Sequence, residues 1–432
     1  MGIFKTNLQI INKFLTHFQP LFSKKQFVAF SFFIYAMFKE YRRYSIKALS
    51  DKSNLNYQKI QYFFSESSWS PEDINHSCLD IIQSQRTTAS SPNGVMVIDD
   101  TGNPKPFAKY TEGVKYQYCG PLKREERCNV VVFSAFSSSS KKFPINFKFY
   151  KPEEEFTFGK DDVNFKSKLS LAKDLIIDAL NHKIKFRSIV FDAWYGNSSE
   201  LLEFTHFTHN LTFITELYSS RNVLFYHPAM RKHLFLRVDE LVKLVQQFYP
   251  HKLKPVKING HDGKERLHWT YSFNATLKGC SVPVKVVIMF GKWNDEDDKD
   301  VHVFITNNTR MSYHSVVSTY LLRWGIEQIF RELKDTFGFD QYQVRHQKQI
   351  ERYWSLCIVA WTLVYWLKQN AYLHKIVQPD TPLSSFNDYK KAVDSLLTFS
   401  SQSILSKNKD LRESYFPIRS RRFIAQCLAD AA

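Results

Sequence analysis

Residues 320–334 read YLLRWGIEQIFRELK. Within them Tyr320, Arg323, Glu327 and Lys334 follow one another at offsets of three, four and seven residues. At about 100° per residue, all four fall within an arc of about 60° on an α-helix. One helical face therefore presents a carboxylate flanked by a guanidinium, an ammonium and a phenol. That set suits an acid that holds a metal ion beside groups that grip phosphate. Ser312 fits as the N-cap of this helix and Gly338 as its stop.

Upstream, two aspartates each end a hydrophobic run. Residues 95–100 (VMVIDD) and 188–192 (SIVFD) read as strands buried on both faces, ending in Asp100 and Asp192. Side chains at the carboxyl edges of neighbouring strands converge on one place, and the Glu327 helix can pack across that edge. The gaps of 92 residues (100 to 192) and 135 residues (192 to 327) suit one sheet, the second being lengthened by an insertion. Three carboxylates are what two Mg²⁺ or Mn²⁺ ions need, because hard cations prefer oxygen and keep positions open for phosphate and water. Two such ions about 4 Å apart activate the attacking oxygen and stabilise the leaving one.

The rest of the chain supplies a frame for these acids. Residues 1–88 read as helical. In SIKALSDKSNLNYQKIQYFFSES, Ile46 and Leu49 open one periodic stretch; Leu55, Ile60 and Phe63 lie in a second. The polar turn at 51–54 between them makes a helix-turn-helix. SPNG at 91–94 is a linker. Beyond it, strands at 95–100, 129–136 and 143–150, a helix at 165–183, a strand at 188–192 and a short helix at 198–207 describe a mixed α/β sheet, continued by 211–216. Residues 217–300 read as an inserted, mostly antiparallel β element, whose acidic loop 295–300 (DEDDKD) is a solvated turn. Residues 301–306 return to the sheet, and a second helix spans about 349–370. A polar, basic tail with RSRR at 419–422 follows Pro379 and Pro382.

Composition narrows the partners. Hydrophobic content of 44% and charged content of 23% describe a folded chain, and 432 residues allow two or three domains. Lys+Arg 59 against Asp+Glu 42 leaves +17, which favours a polyanionic partner because neutralised phosphates release condensed counterions. The six cysteines have no CxxC spacing, so neither a zinc site nor a disulfide framework is expected, and a reducing cytosol is the natural setting. MGIFKT satisfies the loose myristoylation pattern by chance. The apolar runs 27–38 and 354–367 are shorter than the roughly 20 residues a membrane span needs. Gly159-Lys160 has Glu154 where a P-loop requires glycine, so no nucleotide cofactor is expected.

Y-x2-R-x3-E-x6-K, present as Tyr320, Arg323, Glu327 and Lys334, resembles the signature of one large branch of DDE-type insertion-sequence transposases. IDDTGNPK at 98–105 resembles that family's first-Asp strand, in which the Asp preceding Thr is the metal ligand. Asp99 and Asp100 point to opposite faces of a strand, so only one can serve; the resemblance points to Asp100. YQYCGPL at 116–122 with CNVVV at 128–132 looks like the continuation seen in one subgroup, and VFDAWYGNSSELLEF at 190–204 resembles the second-Asp motif, giving Asp192. The likeness runs from about residue 40 to 370. It implies an α/β fold: an RNase H-like mixed-sheet catalytic core with a β-rich insertion, preceded by a helical N-terminal domain.

On that resemblance Asp100, Asp192 and Glu327 hold the metal ions, while Tyr320, Arg323 and Lys334 contact phosphates near the cleaved end, Arg as a bidentate fork and Lys as a point charge. The expected domains are 1–88 (helical, DNA-binding), 89–216 (core, first part), 217–300 (insertion), 301–375 (core, second part) and 376–432 (basic C-terminal region). The expected partner is double-stranded DNA, both transposon ends and target, bound by a dimer in the bacterial cytoplasm, on the nucleoid when DNA-bound. The expected chemistry is nicking at terminal inverted repeats, then attack of the freed 3′-OH on a second phosphodiester. Trp269 and Trp293 are the insertion's candidates for holding a flipped base, with packing the ordinary role of each. The alternatives are a nuclease of the same fold without strand transfer and a non-catalytic DNA-binding protein derived from a transposase. The latter predicts damaged acids, and all three are intact.

Overall fold

The chain begins with helices, as its spacing predicts: α1 (Gly2–Thr16), α2 (Lys24–Lys39), α3 (Ile46–Ser53), α4 (Tyr57–Ser65) and α5 (Pro71–Gln83). Each start has a local cause. Ser23 and Gln26 form a reciprocal capping box on α2, Asn56 caps α4 by accepting the Gln58 N–H at 2.8 Å, and Ser70 precedes Pro71 at the first position of α5. The computed structural model describes residues 2–53, 55–259, 264–291, 301–370 and 383–407. The acidic loop 295–300, Trp293 and the RSRR run lie outside them.

The sheet follows: β1 (Val95–Pro104), β2 (Lys115–Cys119), β3 (Arg124–Ser137), β4 (Lys142–Tyr150), the helix α6 (Lys168–Asn181), β5 (Ser188–Phe191), the short helices α7 (Ala193–Gly196) and α8 (Ser199–Glu203), and β6 (Phe213–Glu216). Next come β7 (Asn222–His227), β8 (Lys232–Arg237), α9 (Val238–Phe248), β9 (Lys254–Asn259), β10 (Glu265–Thr276) and β11 (Pro283–Phe290), then β12 (Val301–Thr306). The strands run in the order β2-β3-β1-β5-β6-β12-β11-β10-β9, with β4 also on β3, and β7-β8 form a separate pair. β1, β5 and β6 are mutually parallel and the other pairings antiparallel. This mixed sheet with its helices is consistent with an RNase H-like core. Pairings among β7 to β11 are antiparallel, β9, β10 and β11 extend the sheet through β12, and α9 lies between β8 and β9.

The helix expected across 312–338 is broken. Ser312 caps α10 (Tyr313–Tyr320) by accepting the Ser315 N–H at 3.1 Å. A 3₁₀ turn (Leu321–Arg323), α11 (Trp324–Arg331) and a π-turn (Glu332–Thr336) follow, and Gly338 ends the run at φ +62°. The tightened turn falls where the side chains of Tyr320 and Arg323 are tied to sheet carboxylates. α12 (Gln347–Gln369) and α13 (Phe386–Lys407) complete the described chain. Sequence spacing did not separate α13 from the basic tail.

The chain divides into two compact units: residues 1–89, 110–112 and 331–432 in the first, residues 90–109 and 113–330 in the second. The first is organised around α12, whose residues from Arg352 to Leu367 are buried. The buried Arg352 guanidinium donates to the carbonyls of Phe64 (2.7 Å), Trp69 (2.6 Å), Phe63 and Ser67, and stacks 4.6 Å from the Trp69 ring centroid. It thereby satisfies carbonyls left open where α4 ends. In the same unit the Lys390 ammonium donates to the carbonyls of Thr336 (3.0 Å) and Glu40 and to the Tyr44 hydroxyl.

Candidate active site

Strand register decides which acids meet. Val97, Val190 and Ile214 are partners across β1, β5 and β6. Two residues further along each strand, on the same face, come Asp99, Asp192 and Glu216. Ile98, Phe191 and Thr215 occupy the opposite face, and Asp100 follows that parity. β1 runs on to Pro104 against β3, whereas its pairing with β5 stops at Ile98↔Phe191. The acids therefore lie where the parallel pairing opens, rather than at the end of β1.

Asp192 is fixed by the turn into α7. Its carboxylate accepts the Tyr195 N–H at 2.9 Å, and its carbonyl accepts the Thr215 hydroxyl at 2.9 Å. A Cβ on Gly196 would stand 1.9 Å from Thr215 Oγ1, so only glycine lets α7 approach β6 this closely.

The Tyr320–Glu327 segment covers the face bearing Asp99, Asp192 and Glu216. Arg323 Nη1 donates to Asp99 Oδ2 at 3.0 Å, and Arg323 Nη2 donates to Glu327 Oε1. The Tyr320 hydroxyl donates to Glu216 Oε2 at 3.2 Å, while Glu216 Oε1 contacts His302 Nδ1 at 2.6 Å. Asp100 has other company: the Lys168 ammonium at 2.9 Å and the Tyr195 hydroxyl at 3.3 Å. Lys168 also stands over the rings of Tyr150 (5.4 Å) and Trp194 (5.5 Å). Lys334 lies in the π-turn, in the chain segment assigned to the first unit.

Burial makes this a strained collection of charges. It pushes the Asp99 carboxyl well above the usual range, reinforced by the charge of Asp192 and opposed by Arg323. Asp192 is pushed up to about 6 by burial, against the Tyr195 N–H bond and with the charge of Asp100 adding to the rise. Burial would lower the Arg323 guanidinium, but Asp99, Tyr320 and Glu327 raise it on balance. Burial and then Asp100, Asp99 and Asp192 raise the Tyr195 hydroxyl, so this phenol faces all three acids.

The residues fit a hard dication. The donors are all carboxylate, two of them are buried against like charge, and a single guanidinium now bridges Asp99 and Glu327. Sequence spacing found Asp192, Glu327, Arg323 and Tyr320, which the fold gathers. It passed over Glu216, and the resemblance set Asp99 aside in favour of Asp100. Aligning the ends of VMVID, SIVFD and FITE by strand parity would have put Asp99, Asp192 and Glu216 in one row.

The model of the DDE superfamily endonucleases matches residues 17–233, just over half of the chain, and that of the transposase DDE domain matches residues 167–363. The first match spans both aspartate-bearing strands and the second spans Asp192 through Lys334. The comparison with curated proteins returns no match. By the first match, over more than half of its length, the chain belongs to the DDE superfamily endonucleases, and by the second it carries a transposase DDE domain.

Proposed function

We propose that the protein binds the terminal inverted repeats of an insertion sequence, nicks the DNA there and transfers the freed 3′-OH to a target strand, as a member of the Y-x2-R-x3-E-x6-K branch. The observation that carries this reading is the Arg323 bridge, which ties the β1 acid Asp99 to Glu327 on the face that also bears Asp192. A non-catalytic DNA-binding descendant has no reason to keep three acids and a guanidinium buried together, at the cost of their desolvation.

In this reading Asp192 and Glu327 hold the divalent ions, two Mg²⁺ or Mn²⁺. The third ligand comes from β1. Sharing of Arg323 with Glu327 favours Asp99, and Asp100 then serves with Lys168 at the edge of the site. Bound there, the ions supply Lewis-acid stabilisation of the phosphoryl oxygens and activate the attacking oxygen. Arg323 keeps the acids together before DNA arrives and then offers its planar fork to a phosphate. Glu216 positions Tyr320 by its hydrogen bond, and Tyr320 and Lys334 take further phosphate contacts. Residues 1–88 form the DNA-binding domain, 89–216 and 301–375 the core, 217–300 the insertion and 376–432 a basic C-terminal region, with two subunits assembled on the DNA.

The test is cleavage of a labelled duplex carrying the repeats that flank the native locus, with Mg²⁺ or Mn²⁺. Wild type should nick at the repeat end, and Glu327→Gln should bind but not cut. Tight binding without cutting by wild type under either metal would replace this reading with the non-catalytic one. Asp99→Asn and Asp100→Asn separate the two β1 acids: loss of cutting with Asp100→Asn alone would return the ligand role to Asp100.

A further inference from the structure

Helix α4 buries Ile60, Phe63 and Phe64 and turns the rest of its surface outward. Its exposed residues Tyr57, Gln58, Lys59, Gln61 and Tyr62 include no carboxylate. At about 100° per residue they fall on two flanks of one ridge. Each flank drops into a concavity of the first unit. On one side Gln58, Lys59 and Tyr62 line a cleft of about 830 Å³ that is mostly apolar, with Val28, Leu55 and Phe63 in it, and whose opposite wall is the start of α2, with Lys24 and Lys25. On the other, Tyr57 and Gln61 line a second of about 480 Å³, faced by Lys47, Arg345 and His346. Lys47 is paired with Asp51 at 2.5 Å and His346 with Glu112 at 3.3 Å. Among the described residues, no ion pair engages Lys24, Lys25, Lys59 or Arg345.

We infer that α4 enters the major groove of duplex DNA, with Gln58 and Gln61 reading base edges and the cations beside the two concavities, Lys24, Lys25 and Lys59 on one side and Arg345 on the other, meeting the phosphate backbones. A helix with side chains is about 10–12 Å across and the major groove is about 12 Å wide, so a ridge of this kind fits. Glutamine pairs in bidentate fashion with the N6 and N7 edge of adenine. Lysine and arginine on both walls supply the sequence-independent part of the affinity. The ridge is also held firmly. Arg352 binds the carbonyls at the end of α4, and Phe33 packs edge-on against Phe64 with centroids 5.0 Å apart. Rigid presentation keeps the cost of ordering the interface low.

This inference rests on DNA being the partner, and its test reads binding rather than cutting. The full chain would be titrated into a labelled duplex of the native flanking repeat and into a scrambled duplex, across a salt series. Lys24→Gln with Lys25→Gln and Lys59→Gln should weaken both complexes and lower the slope of log affinity against log salt by about one per lysine. Gln58→Ala with Gln61→Ala should leave the slope alone and cut the preference for the native repeat by about tenfold or more. Acetylation of the wild-type protein, with and without DNA, is the second measurement and needs no variant; bound duplex should protect Lys24, Lys25 and Lys59.

Wild type that binds neither duplex would overturn the inference together with the reading beneath it. Wild-type binding that both variants reproduce, or lysines acetylated equally with and without DNA, would overturn this face alone. So would an equal loss on removing the exposed Lys232, Lys243 and Lys278 instead, since the effect would then be one of net charge.

Discussion

Replacing Arg323 with methionine keeps most of the side chain's length and removes only its charge and its fork. In the native protein that guanidinium is the cation shared by Asp99 and Glu327, and the three side chains are 22%, 14% and 31% exposed. Breaking a buried pair by deleting one partner costs about 3–5 kcal/mol, because the remaining charge keeps its desolvation without its compensation. Glu327 is the most exposed of the three and recovers part of its loss from water, so the low end, about 3 kcal/mol, is expected. For a unit of this size about 1 kcal/mol corresponds to 2–4 °C, so calorimetry should show Tm falling by about 6–12 °C. Mg²⁺ provides the internal check. With no arginine competing for the carboxylates, the dication should raise the variant's Tm more than the wild type's. An Arg323→Met protein that melts within about 2 °C of wild type, or one on which Mg²⁺ has no effect, would refute the account of these acids as a cation site.

Three further outcomes are expected. Gly196→Ala forces a methyl to within 1.9 Å of Thr215 Oγ1; it should cost about 1–3 kcal/mol by overpacking and slow cleavage about a hundredfold by displacing Asp192, with partial recovery in the Thr215→Gly background. Arg352→Leu strands the buried carbonyls of Phe64, Ser67 and Trp69, while Phe63 keeps the Trp69 indole N–H; urea unfolding should show a loss of about 3 kcal/mol or more, and a loss below about 1 kcal/mol would mean those carbonyls find other donors. At Lys390, burial pushes the ammonium down to about 7, with the charge of Glu40 opposing. Unfolded lysine, near 10.4, binds the proton that the folded form has released between those values, so this group makes stability rise with pH from about 7 to 10, by up to about 1.4 kcal/mol per pH unit. Lys390→Met should flatten that rise in unfolding curves taken across the window.

Much of the fold was legible in the chain because its signals are local. The unbroken, β-branched-rich runs VMVI and SIVF have the pattern of strands covered on both faces, and Ser312 and Gly338 bracket their helical segment as capping chemistry requires. What escaped depends on partners far away in sequence. A regular helix is the natural reading of 312–338. The 3₁₀ turn inside it sits beside Tyr320 and Arg323, whose side chains are tied to Glu216 and Asp99, and the π turn follows at Glu332–Thr336; periodicity registers neither. Asp99 and Asp100 differ in strand parity, and which of them shares a face with Asp192 is seen only when β1 is set against β5. α13 was hidden because one of its inward residues is Lys390, and a buried lysine reads as a surface one until Thr336, Glu40 and Tyr44 are seen around it.

The pairing of β12 with both β6 and β11 bears on how this protein can be cut down. β12 pairs with β6 through three residues, Phe304 to Thr306, but with β11 through six, Val301 to Thr306. Shortening the chain by excising residues 217–300 would strip β12 of its larger neighbour and bare the ladder of VHVFIT, a hydrophobic strand with no proline and no lysine to discourage pairing with other molecules. The native margin, β9, carries Lys254, Pro255 and Lys257 and is guarded in just that way. A minimal core made by this deletion is thus expected in inclusion bodies rather than as a soluble, inactive remnant. Anyone seeking a smaller version would do better to keep β9 to β11 and shorten the β7–β8 hairpin, whose pairing lies outside the main sheet.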